Sequence, residues 1–489
     1  MKESQFLLLV LLSLSPLLLS TPLVVHAQWE PDVRLTFNDS TSYTSQSNAR
    51  CVVASGDTVH VVWYDRRDGN WEIYYKRSID AGMAWGPDTR LTTDSASSQN
   101  PSILVSGSNV HLVWQDRRDG NWEIYYKRSP DGGSTWNADI RLTADTMASC
   151  TPSISVLDSM VHVVWHSNWS GTSNKVSYKR STDGGVSWSP DSCLMRSQSF
   201  FNQSMGPSIG SWGSSVHLVF REGPDTTRII YMRSSDRGFT WSPCTVLASY
   251  ILPPDVEMWY SVPSLAVADS LVHVVYLYNI FSGAYGWEYS LEYRRSLDGG
   301  STWSDRGWLC GRNLAAFPRD LTAGGCASGL NVHVVWFDFL DRNEEIYYRG
   351  SYDRGTTWGP EMRLTHDGAS SMYPSIEAQG SKVHVVWAEY RDGNYEIYYK
   401  RNPTGNSGVE ESTSSAPISH FPFSICPNPF VSFSSVPGHE RDRFSLYDVS
   451  GRRVGTYKGD RIGEGLRAGV YFMRAEGGGA KPVRVVKVR

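Results

Sequence analysis

The sequence predicts an all-β protein whose main body is a closed ring of seven four-stranded blades, a β-propeller. A strand of the general form Val-His-Val-Val-Trp recurs seven times, at intervals of 51, 51, 55, 56, 60 and 51 residues. A second aromatic strand follows each copy, and six of the pairs end in Ser-x-Asp-x-Gly-x-x-Trp. A strand-rich period near fifty residues is typical of propeller blades. The histidines of the repeat are His60, His111, His162, His217, His273, His333 and His384.

The clearest copy of the repeat, residues 101–143, can be divided into four strands. Apolar and aromatic runs at 101–105, 110–114 and 122–128 alternate with Gly-, Asn- and Asp-rich turns, and a short fourth run ends in Arg141-Leu142-Thr143. Four antiparallel strands in about fifty residues make one blade.

The two ends of the array indicate how the ring closes. The last repeat stops at Arg401 without its Asp-containing turn or fourth strand, whereas Trp29–Thr36 matches Trp85–Thr92 and Trp358–Thr365. We therefore expect the N-terminal segment to complete the seventh blade, which also covers the edges of an open array. The alternative is a six-bladed ring in which the fourth or fifth unit folds differently.

The segments outside the array predict export. Residues 1–27 have the pattern of a signal peptide, with Lys2, an apolar run and Val25-His26-Ala27 before Gln28. We expect the mature chain to pass through the periplasm, to have no transmembrane segment and to be monomeric, either secreted or on the outer cell surface. Residues 402–416 are expected to be a flexible linker, leaving the propeller at 28–401 and a C-terminal domain at 417–489.

Charge and cysteine content exclude some classes of function. The net charge is -4, and residues 431–489 contribute twelve basic and six acidic side chains, so the rest carries about -10 and nucleic acid is not an expected partner. Seven cysteines are too few for a disulfide scaffold, and Cys310 and Cys326 are the first candidate pair. No Cys or His cluster has zinc spacing, and no cofactor is expected.

The six Ser-x-Asp-x-Gly-x-x-Trp turns resemble the Asp-box, or BNR, repeats of the sialidase superfamily of β-propellers. Such a turn needs a short acceptor, a glycine with positive φ and a large ring, which favours a folding role. A structural calcium at these carboxylates is the alternative. The structural aspartates are Asp80, Asp131, Asp183, Asp236, Asp298 and Asp353. The repeated histidines are likewise expected to be buried and hydrogen-bonded rather than catalytic.

Strand order places function on one face. The loops between the second and third strands share a face with the connections between blades, opposite the Asp boxes. Residues 65–72 and 116–123 are identical there, 389–396 is a close copy and 338–345 a looser one. These loops are either hairpin turns with internal ion pairs or a patch for carboxylates and sugar faces. The candidate ligand-binding residues are Arg66, Arg67, Trp71, Arg117, Arg118, Trp122, Arg342, Arg391 and Tyr395.

The less regular half of the ring offers a second place for specificity. Loops on a rigid scaffold are where binding residues concentrate. Five aromatic residues of blades 3–5 would form a ligand-facing surface if exposed, or else cap their own blades: Trp169, Trp259, Tyr260, Tyr285 and Trp287.

The resemblance to sialidases implies three arginines around a carboxylate, a Tyr and Glu pair, an Asp acid or base and an Arg-Ile-Pro motif. This sequence has no Arg-Ile-Pro, and no Arg, Tyr or Glu stands out as a single-copy residue. We therefore assign no catalytic residue and no metal site. The favoured hypothesis is a non-catalytic module that binds a glycan, peptide or matrix component; the alternative is an exo-glycosidase of the sialidase type.

The C-terminal segment has its own pattern. Cys426-Pro427-Asn428-Pro429-Phe430, residues 444–454, Gly469-Val470-Tyr471-Phe472 and residues 483–489 read as alternating strands. This order resembles the sorting domain of the bacterial type IX secretion system. The resemblance implies a small β-sandwich, recognition by that machinery, and possible removal of the domain. A plain immunoglobulin-like sandwich without a sorting role is the alternative.

Overall fold

The computed structural model describes most of the chain after residue 28. The chain forms two compact units, Met1–Val409 and Glu410–Arg489. The proposed signal peptide and most of the linker lie outside the described residues. The residues that the structure describes are 29–144, 146–169, 173–197, 205–223, 226–251, 257–260, 262–282, 286–314, 322–339, 343–404, 441, 443–448, 452–458, 460–467, 469–475 and 483–487.

Within the described residues, the first unit contains thirty strands in seven antiparallel sheets, which are the seven blades. The N-terminal strand is β1 (Val33–Arg34). Blade 1 contains β2 (Ser42–Tyr43), β3 (Val52–Ser55), β4 (Thr58–Asp65), β5 (Glu72–Ser78) and β6 (Thr89–Arg90). Blade 2 contains β7 (Ser98–Ser106), β8 (Asn109–Asp116), β9 (Glu123–Ser129) and β10 (Ile140–Arg141). Blade 3 contains β11 (Ala148–Leu157), β12 (Met160–Trp169), β13 (Ser173–Ser181) and β14 (Ser192–Ser197).

The remaining blades follow the same order from inner to outer strand. Blade 4 contains β15 (Ser208–Trp212), β16 (Ser215–Glu222), β17 (Thr226–Ser234) and β18 (Thr245–Ile251). Blade 5 contains β19 (Glu257–Tyr260), β20 (Ser264–Ala268), β21 (Leu271–Ser282), β22 (Gly286–Ser296) and β23 (Gly307–Leu314). Blade 6 contains β24 (Ala323–Ser328), β25 (Asn331–Asp338), β26 (Glu345–Ser351) and β27 (Met362–Arg363). Blade 7 contains β28 (Ser371–Gln379), β29 (Lys382–Glu389) and β30 (Glu396–Asn402).

The N-terminal strand closes the ring, as the sequence predicts. Strand β1 pairs antiparallel with β30, with Val33 opposite Tyr399 and Arg34 opposite Tyr398. This pairing supplies the fourth strand of blade 7. The seven-bladed prediction is confirmed, and the six-bladed alternative is wrong because the fourth and fifth units each form a full sheet.

The repeated tryptophans form the layers between blades. Val, Ile and aromatic residues favour the pleated, buried surface of a strand. In five blades the second strand places a tryptophan against the neighbouring sheet, and Phe220 and Tyr276 take that position in blades 4 and 5. Burying a large apolar side chain contributes about 1.5–3 kcal/mol. The fully buried members are Trp63, Trp114, Trp165, Trp336 and Trp387.

Each repeated histidine is buried and bonded to a tyrosine of the next strand. Nδ1 lies 2.6–2.8 Å from the tyrosine hydroxyl in all seven blades. Burial lowers the pKa of each histidine to about 4. A neutral imidazole fixed in this way is a structural element, as the sequence predicts. The partners are Tyr75, Tyr126, Tyr178, Tyr231, Tyr293, Tyr348 and Tyr399.

The Asp boxes fasten each blade to the one before it. In blade 2, the Asp131 carboxylate accepts the Thr135 N–H at 2.8 Å, and the Ser129 hydroxyl accepts the Gly133 N–H at 2.8 Å. The box then contacts blade 1: Trp136 packs edge-on against Tyr75 with ring centroids 5.1 Å apart. The same ring contact joins box and preceding blade at Trp85–Tyr399, Trp188–Tyr126, Trp241–Tyr178, Trp303–Tyr231 and Trp358–Tyr293.

Blade 7 lacks an Asp box, and its neighbour is adapted to that loss. In six blades an arginine at the end of the third strand donates to a backbone carbonyl of the next box, as Arg77 does to Gly132 at 2.6 Å. Blade 6 has Gly350 at this position. Trp29 from the N-terminal segment takes the place of the box tryptophan, 4.9 Å from the ring of Tyr348. The N-terminal segment thus supplies both the missing strand and the missing ring.

The second unit contains one described sheet. Its strands β31 (Arg443–Tyr447), β32 (Arg453–Lys458), β33 (Gly469–Ala475) and β34 (Val483–Lys487) have the order β32-β31-β33-β34. Its buried core is small and mostly apolar. The second sheet of the predicted sandwich is not seen among the described residues, and Cys426 lies outside them. The buried members are Phe444, Leu446, Ile462, Tyr471 and Met473.

The predicted disulfide is not formed. Cys326 is a buried free thiol, so its bond to Cys310 is absent. The two flank a connection in sequence, but Cys326 belongs to β24 and its side chain is enclosed by the core of blade 6. Among the described residues there is no helix long and apolar enough to cross a bilayer.

Candidate functional site

The loops between second and third strands and the blade connections lie on one face, which we call the loop face. Backbone bonds join the two kinds of segment: the Ser98 N–H donates to the Trp71 carbonyl, and the Ser149 N–H to the Trp122 carbonyl, both at 2.7 Å. The predicted ligand-binding loops therefore share a face, opposite the Asp boxes.

Three of the predicted arginines form ion pairs with carboxylates inside and next to their own loops. Arg67 contacts Asp65 at 2.5 Å and Asp88 at 2.6 Å, and its guanidinium lies 4.3 Å from the Tyr74 ring centroid. Arg118 repeats this arrangement with Asp116 at 2.6 Å and Asp139 at 2.8 Å. These guanidiniums stabilise the loops, which agrees with the alternative of internal ion pairs.

Arg391 holds a denser cluster in blade 7. It contacts Asp32 at 2.5 Å, Asp367 at 2.8 Å and the Glu389 carboxylate. These three carboxylates have oxygens within 4.8 Å of one another. Burial raises the pKa of Glu389 to about 8, and its bond with Asp367 adds to the rise. Because Arg391 pairs with all three carboxylates, we assign the cluster to the ion pairs that hold this loop in place.

Two of the predicted arginines remain on the surface. Arg66 and Arg117 are exposed, at the equivalent position of adjacent blades. The Arg66 guanidinium lies 5.2 Å from the Trp71 ring centroid. Trp71 and Trp122 are half-buried. Arg342 lies outside the described residues, so its placement stays a prediction.

Four rings form a continuous row across blades 7 and 1, which we call the aromatic ribbon. Tyr390 and Tyr395 have ring centroids 5.0 Å apart, Tyr395 and Tyr43 are also 5.0 Å apart, and Tyr43 and Trp71 are 5.9 Å apart. Tyr390 is 48% exposed and the other three are half-buried. Burial raises the pKa of Tyr43 to about 12, so its hydroxyl stays neutral. Arg66 lies at the Trp71 end of the row.

Sequence reasoning found Trp71 and Tyr395 but missed the other two rings. Tyr390 occupies the position of Arg66 within an otherwise copied loop, and that departure was the available signal. Tyr43 lies in β2, at a position that is Gln99 in blade 2, so only the fold shows that it bridges two blades.

A polar cluster in blades 3 and 4 was also missed. The residue after the repeated tryptophan differs in every blade and includes His166 and Arg221, both buried. His166 Nε2 lies 3.0 Å from Asn174 Oδ1, and burial lowers its pKa to about 4. Burial also lowers the pKa of Arg221 to about 10. The full set at this position is Tyr64, Gln115, His166, Arg221, Leu277, Phe337 and Ala388.

The centre of the ring holds a small polar cavity. It has about 410 Å³ of space, part of it open to solvent, and the innermost strands provide most of its wall. The described residues that line it include one arginine, Arg50, which is 3.5 Å from Glu377. A clamp of three converging arginines, as the sialidase resemblance implies, is not found among these lining residues.

The connections between blades also carry aspartates on the loop face. Asp367 pairs with Arg391, and Asp94 accepts the Ala96 N–H at 2.9 Å. Asp145 lies outside the described residues. The side chains of the five aromatic residues predicted as a surface of blades 3–5 do as well: Trp169, Trp259, Tyr260, Tyr285 and Trp287.

Seven blades joined by Asp-box contacts, with aromatic and cationic side chains on the face opposite the boxes, define an Asp-box β-propeller. The chain belongs to the BNR repeat-like domain family, whose model matches residues 65–313, just over half of its length. No curated protein matches the chain.

Several solved structures share the fold. The chain is similar to polysaccharide lyase Uly1, with 10% identity and a TM-score of 0.50 over 77% of this chain and 100% of that one. It is also similar to a polysaccharide lyase PL25 ulvanlyase bound to -[GlcA(1-4)Rha3S]-, with 12% identity and a TM-score of 0.53 over 76% and 95%. It is similar to the Hadza microbial sialidase Hz136 with 14% identity and a TM-score of 0.42, over 71% of this chain and 74% of that one. At these identities the likeness shows the fold alone.

Proposed function

We propose that this protein binds an extracellular glycan on its loop face, without chemistry, and that the aromatic ribbon is the binding surface. A sugar ring has an apolar face that packs on aromatic rings, while its hydroxyls bond to polar neighbours. The ribbon offers four such rings in a row with a guanidinium at one end. The row itself is the observation that carries the proposal.

Two further points support glycan recognition. Two of the similar structures, with TM-scores of 0.50 and 0.53, are named as polysaccharide lyases, one of them with a bound saccharide. Two of the four loops are identical and a third is a close copy. Repeated copies suit an extended ligand, whereas catalysis needs side chains that differ in pKa and position. A peptide or matrix protein would use the same rings, and a protein array distinguishes it from a glycan.

The test is glycan binding by the wild type and by Tyr390→Ala. Tyr390 is the most exposed ring of the ribbon, so its loss should weaken binding at least tenfold, about 1.4 kcal/mol, with unchanged thermal stability. Trp308→Ala is the matched control, because Trp308 is 68% exposed beside Arg306 on blade 5, away from the ribbon. A Tyr390→Ala variant that binds like the wild type would contradict the proposal, as would a glycan array without any bound ligand.

A glycan-cleaving enzyme is the second candidate, favoured by the polar cluster. Burial holds His166 in its neutral form beside Asn174, and Arg221, whose charge further lowers the pKa of His166, is suited to stabilise negative charge on a substrate carboxylate. If the protein is a lyase, incubation with uronate-containing polysaccharides yields products with an unsaturated end, which absorb ultraviolet light, and His166→Gln abolishes them. Release of a fluorophore from a sialoside tests the exo-glycosidase alternative.

We also propose that the protein acts outside the cell and that residues 417–489 serve as a type IX sorting domain. The signal-peptide pattern and the four C-terminal landmarks support this proposal. Expression with and without residues 417–489 in a host with that system tests it: the full chain should reach the medium or cell surface, and the truncated chain should stay in the periplasm.

A further inference from the structure

The innermost strand of blade 1 is interrupted by a longer excursion than those of blades 2, 3, 5 and 7. In blades 2, 3 and 7 the inner strand has a short bulge, with register shifts between Gln99 and Ser102, Cys150 and Ser153, and Met372 and Ser375. In blade 1 the strand is split into β2, which ends at Tyr43, and β3, which begins at Val52. Residues 44–51 therefore replace a two-residue bulge.

The bulges mark the rim of the axial mouth on the loop face. A residue with positive φ precedes the proline there, at 52° in Asn100, 51° in Thr151 and 54° in Tyr373. Bulges re-aim the backbone and are frequent beside functional sites. In blade 1 the excursion leaves the strand at this rim.

The excursion is fastened to three other blades. The Thr44 hydroxyl donates to the Tyr373 carbonyl in blade 7 at 2.5 Å, and the Gln46 N–H donates to Asn100 Oδ1 in blade 2 at 3.3 Å. The Asn48 amide donates to the Val262 carbonyl at the start of blade 5, at 2.5 Å. A segment that begins in blade 1 and reaches blade 5 must pass over the axial mouth.

The segment covers the axial cavity and a buried thiol. Asn48 and Arg50 form part of the cavity wall together with the inner strands of blades 3–7. The Ser45 N–H donates to Cys51 Sγ at 3.1 Å. Cys51 is 0% exposed, and burial raises its pKa to about 12.

We infer that residues 45–48 form a strap that closes the axial mouth and confines ligands to the rim, where the aromatic ribbon lies. The strap is a specificity determinant of the glycan site, and this part rests on the proposed function. Asn48 is its far anchor: its φ of 55° is a conformation that asparagine tolerates better than most residues, and its amide is the contact with blade 5.

The Asn48→Asp variant tests the strap without any glycan. Aspartate keeps the size and the tolerance of positive φ but has no N–H₂ to donate to Val262. The readout is alkylation of Cys51 under native conditions, in a background with Cys193→Ser and Cys244→Ser to remove the exposed thiols. Because opening precedes reaction, the rate of Cys51 labelling follows the population of the open strap. We expect a rise of at least tenfold.

Cys326 is the internal control, because it is buried in blade 6, away from these strap contacts. Its labelling should not change, and Asn109→Asp, at a tight turn on the opposite face, should change neither thiol. Equal increases at Cys51 and Cys326 would mean general destabilisation and would overturn the inference. Unchanged Cys51 labelling would overturn it too.

Glycan binding separates this inference from the proposed function. For any glycan bound by the wild type, loss of binding in the Tyr390→Ala variant should be about tenfold with the strap intact. In the double variant that also carries Asn48→Asp, one end of the glycan can enter the axial cavity, so part of the lost affinity should return. If Cys51 labelling rises but glycan affinity does not recover, the strap exists but does not confine ligands to the rim. If the wild type binds no glycan, only the proposed function is refuted.

Discussion

Glu292 shows how a single substitution within a repeat creates a titratable group. Blades 1, 2, 6 and 7 have a tyrosine at its position, and the residue opposite it in the ladder is Tyr276 instead of the repeated tryptophan. Glu292 is 1% exposed, and burial raises its pKa to about 7 from an ordinary value of 4.5. Because the folded-state pKa is the higher one, this carboxyl contributes stability below pH 4.5 that is lost as the pH rises through 7.

We expect Glu292→Gln to remove this pH dependence. The glutamine keeps the shape but cannot ionise, so the variant should exceed the wild type in stability above pH 7, by up to about 3 kcal/mol. Denaturant unfolding at pH 5 and pH 8 measures the effect. The exposed Glu361→Gln is the control. Equal pH dependence in wild type and Glu292→Gln would show that this carboxyl does not couple to folding.

At the residue scale, the sequence predicted the structural side chains better than the ligand-binding ones. The repeat identified His111 and Asp131 as folding residues, because each has a copy in almost every blade. It could not separate Arg66 from Arg67, since both belong to the same identical loops. The difference lies in side-chain direction: Arg67 points to Asp65 and Asp88, whereas Arg66 lies over Trp71.

At the scale of elements, the Asp box is a latch between sheets more than a turn within one. Gly133 has a φ of 83°, and a Cβ built on it would lie 1.9 Å from the Tyr75 hydroxyl of the preceding blade. Its neighbour Gly132 has a φ of 68° but open space around it. A comparison of substitutions at the two glycines therefore distinguishes the cost of backbone strain from the cost of losing the contact between blades.

We expect Gly133→Ala to destabilise the protein much more than Gly132→Ala. Both variants incur the strain of positive φ, about 1 kcal/mol, but only Gly133→Ala displaces the tyrosine from its histidine, for about 1–3 kcal/mol more. Thermal unfolding of the two variants side by side measures the difference. Equal losses in both would mean that the box contributes only to its own hairpin.

Strand order and turn chemistry also explain which elements the sequence could predict. The tight turns and boxes follow from Gly, Asn and Asp at fixed offsets from the strands, so the four-strand blade was predictable. The strap was not, because residues 44–51 have no copy elsewhere in the chain. Its contacts join residues far apart in sequence, such as Asn48 and Val262, which only ring closure brings together.

At the scale of the whole molecule, ring closure joins the two ends of the propeller. The prediction that the N-terminal segment Trp29–Thr36 completes the seventh blade is confirmed, and the structure adds the register, with Val33 opposite Tyr399. The sequence did not reveal that Gly350 and Trp29 complement the missing box of blade 7. That relation depends on which blades are neighbours in space, and it makes the N-terminal segment part of the last blade's packing.

The seven repeated histidines, all of them buried, make the stability of the whole ring depend on pH. In the fold their pKa is about 4, while an unfolded histidine titrates near 6.5. Because the folded-state pKa is depressed, the stability they provide is complete above pH 6.5 and is lost as the pH falls towards 4. Seven protons taken up together give a slope of up to about 10 kcal/mol per pH unit.

We therefore expect the propeller to unfold cooperatively between pH 6.5 and 4, and His111→Gln to reduce the steepness by about one proton. Glutamine can still bond to the Tyr126 hydroxyl, so the variant tests charge more than packing. Proton uptake follows from the dependence of unfolding free energy on pH, measured by denaturant titration, with the exposed His366→Gln as control. A wild type that is equally stable at pH 7 and pH 5 would contradict the coupling. If His111→Gln had the wild-type slope, the proton would enter elsewhere, and the histidine and tyrosine pairs would act through packing alone.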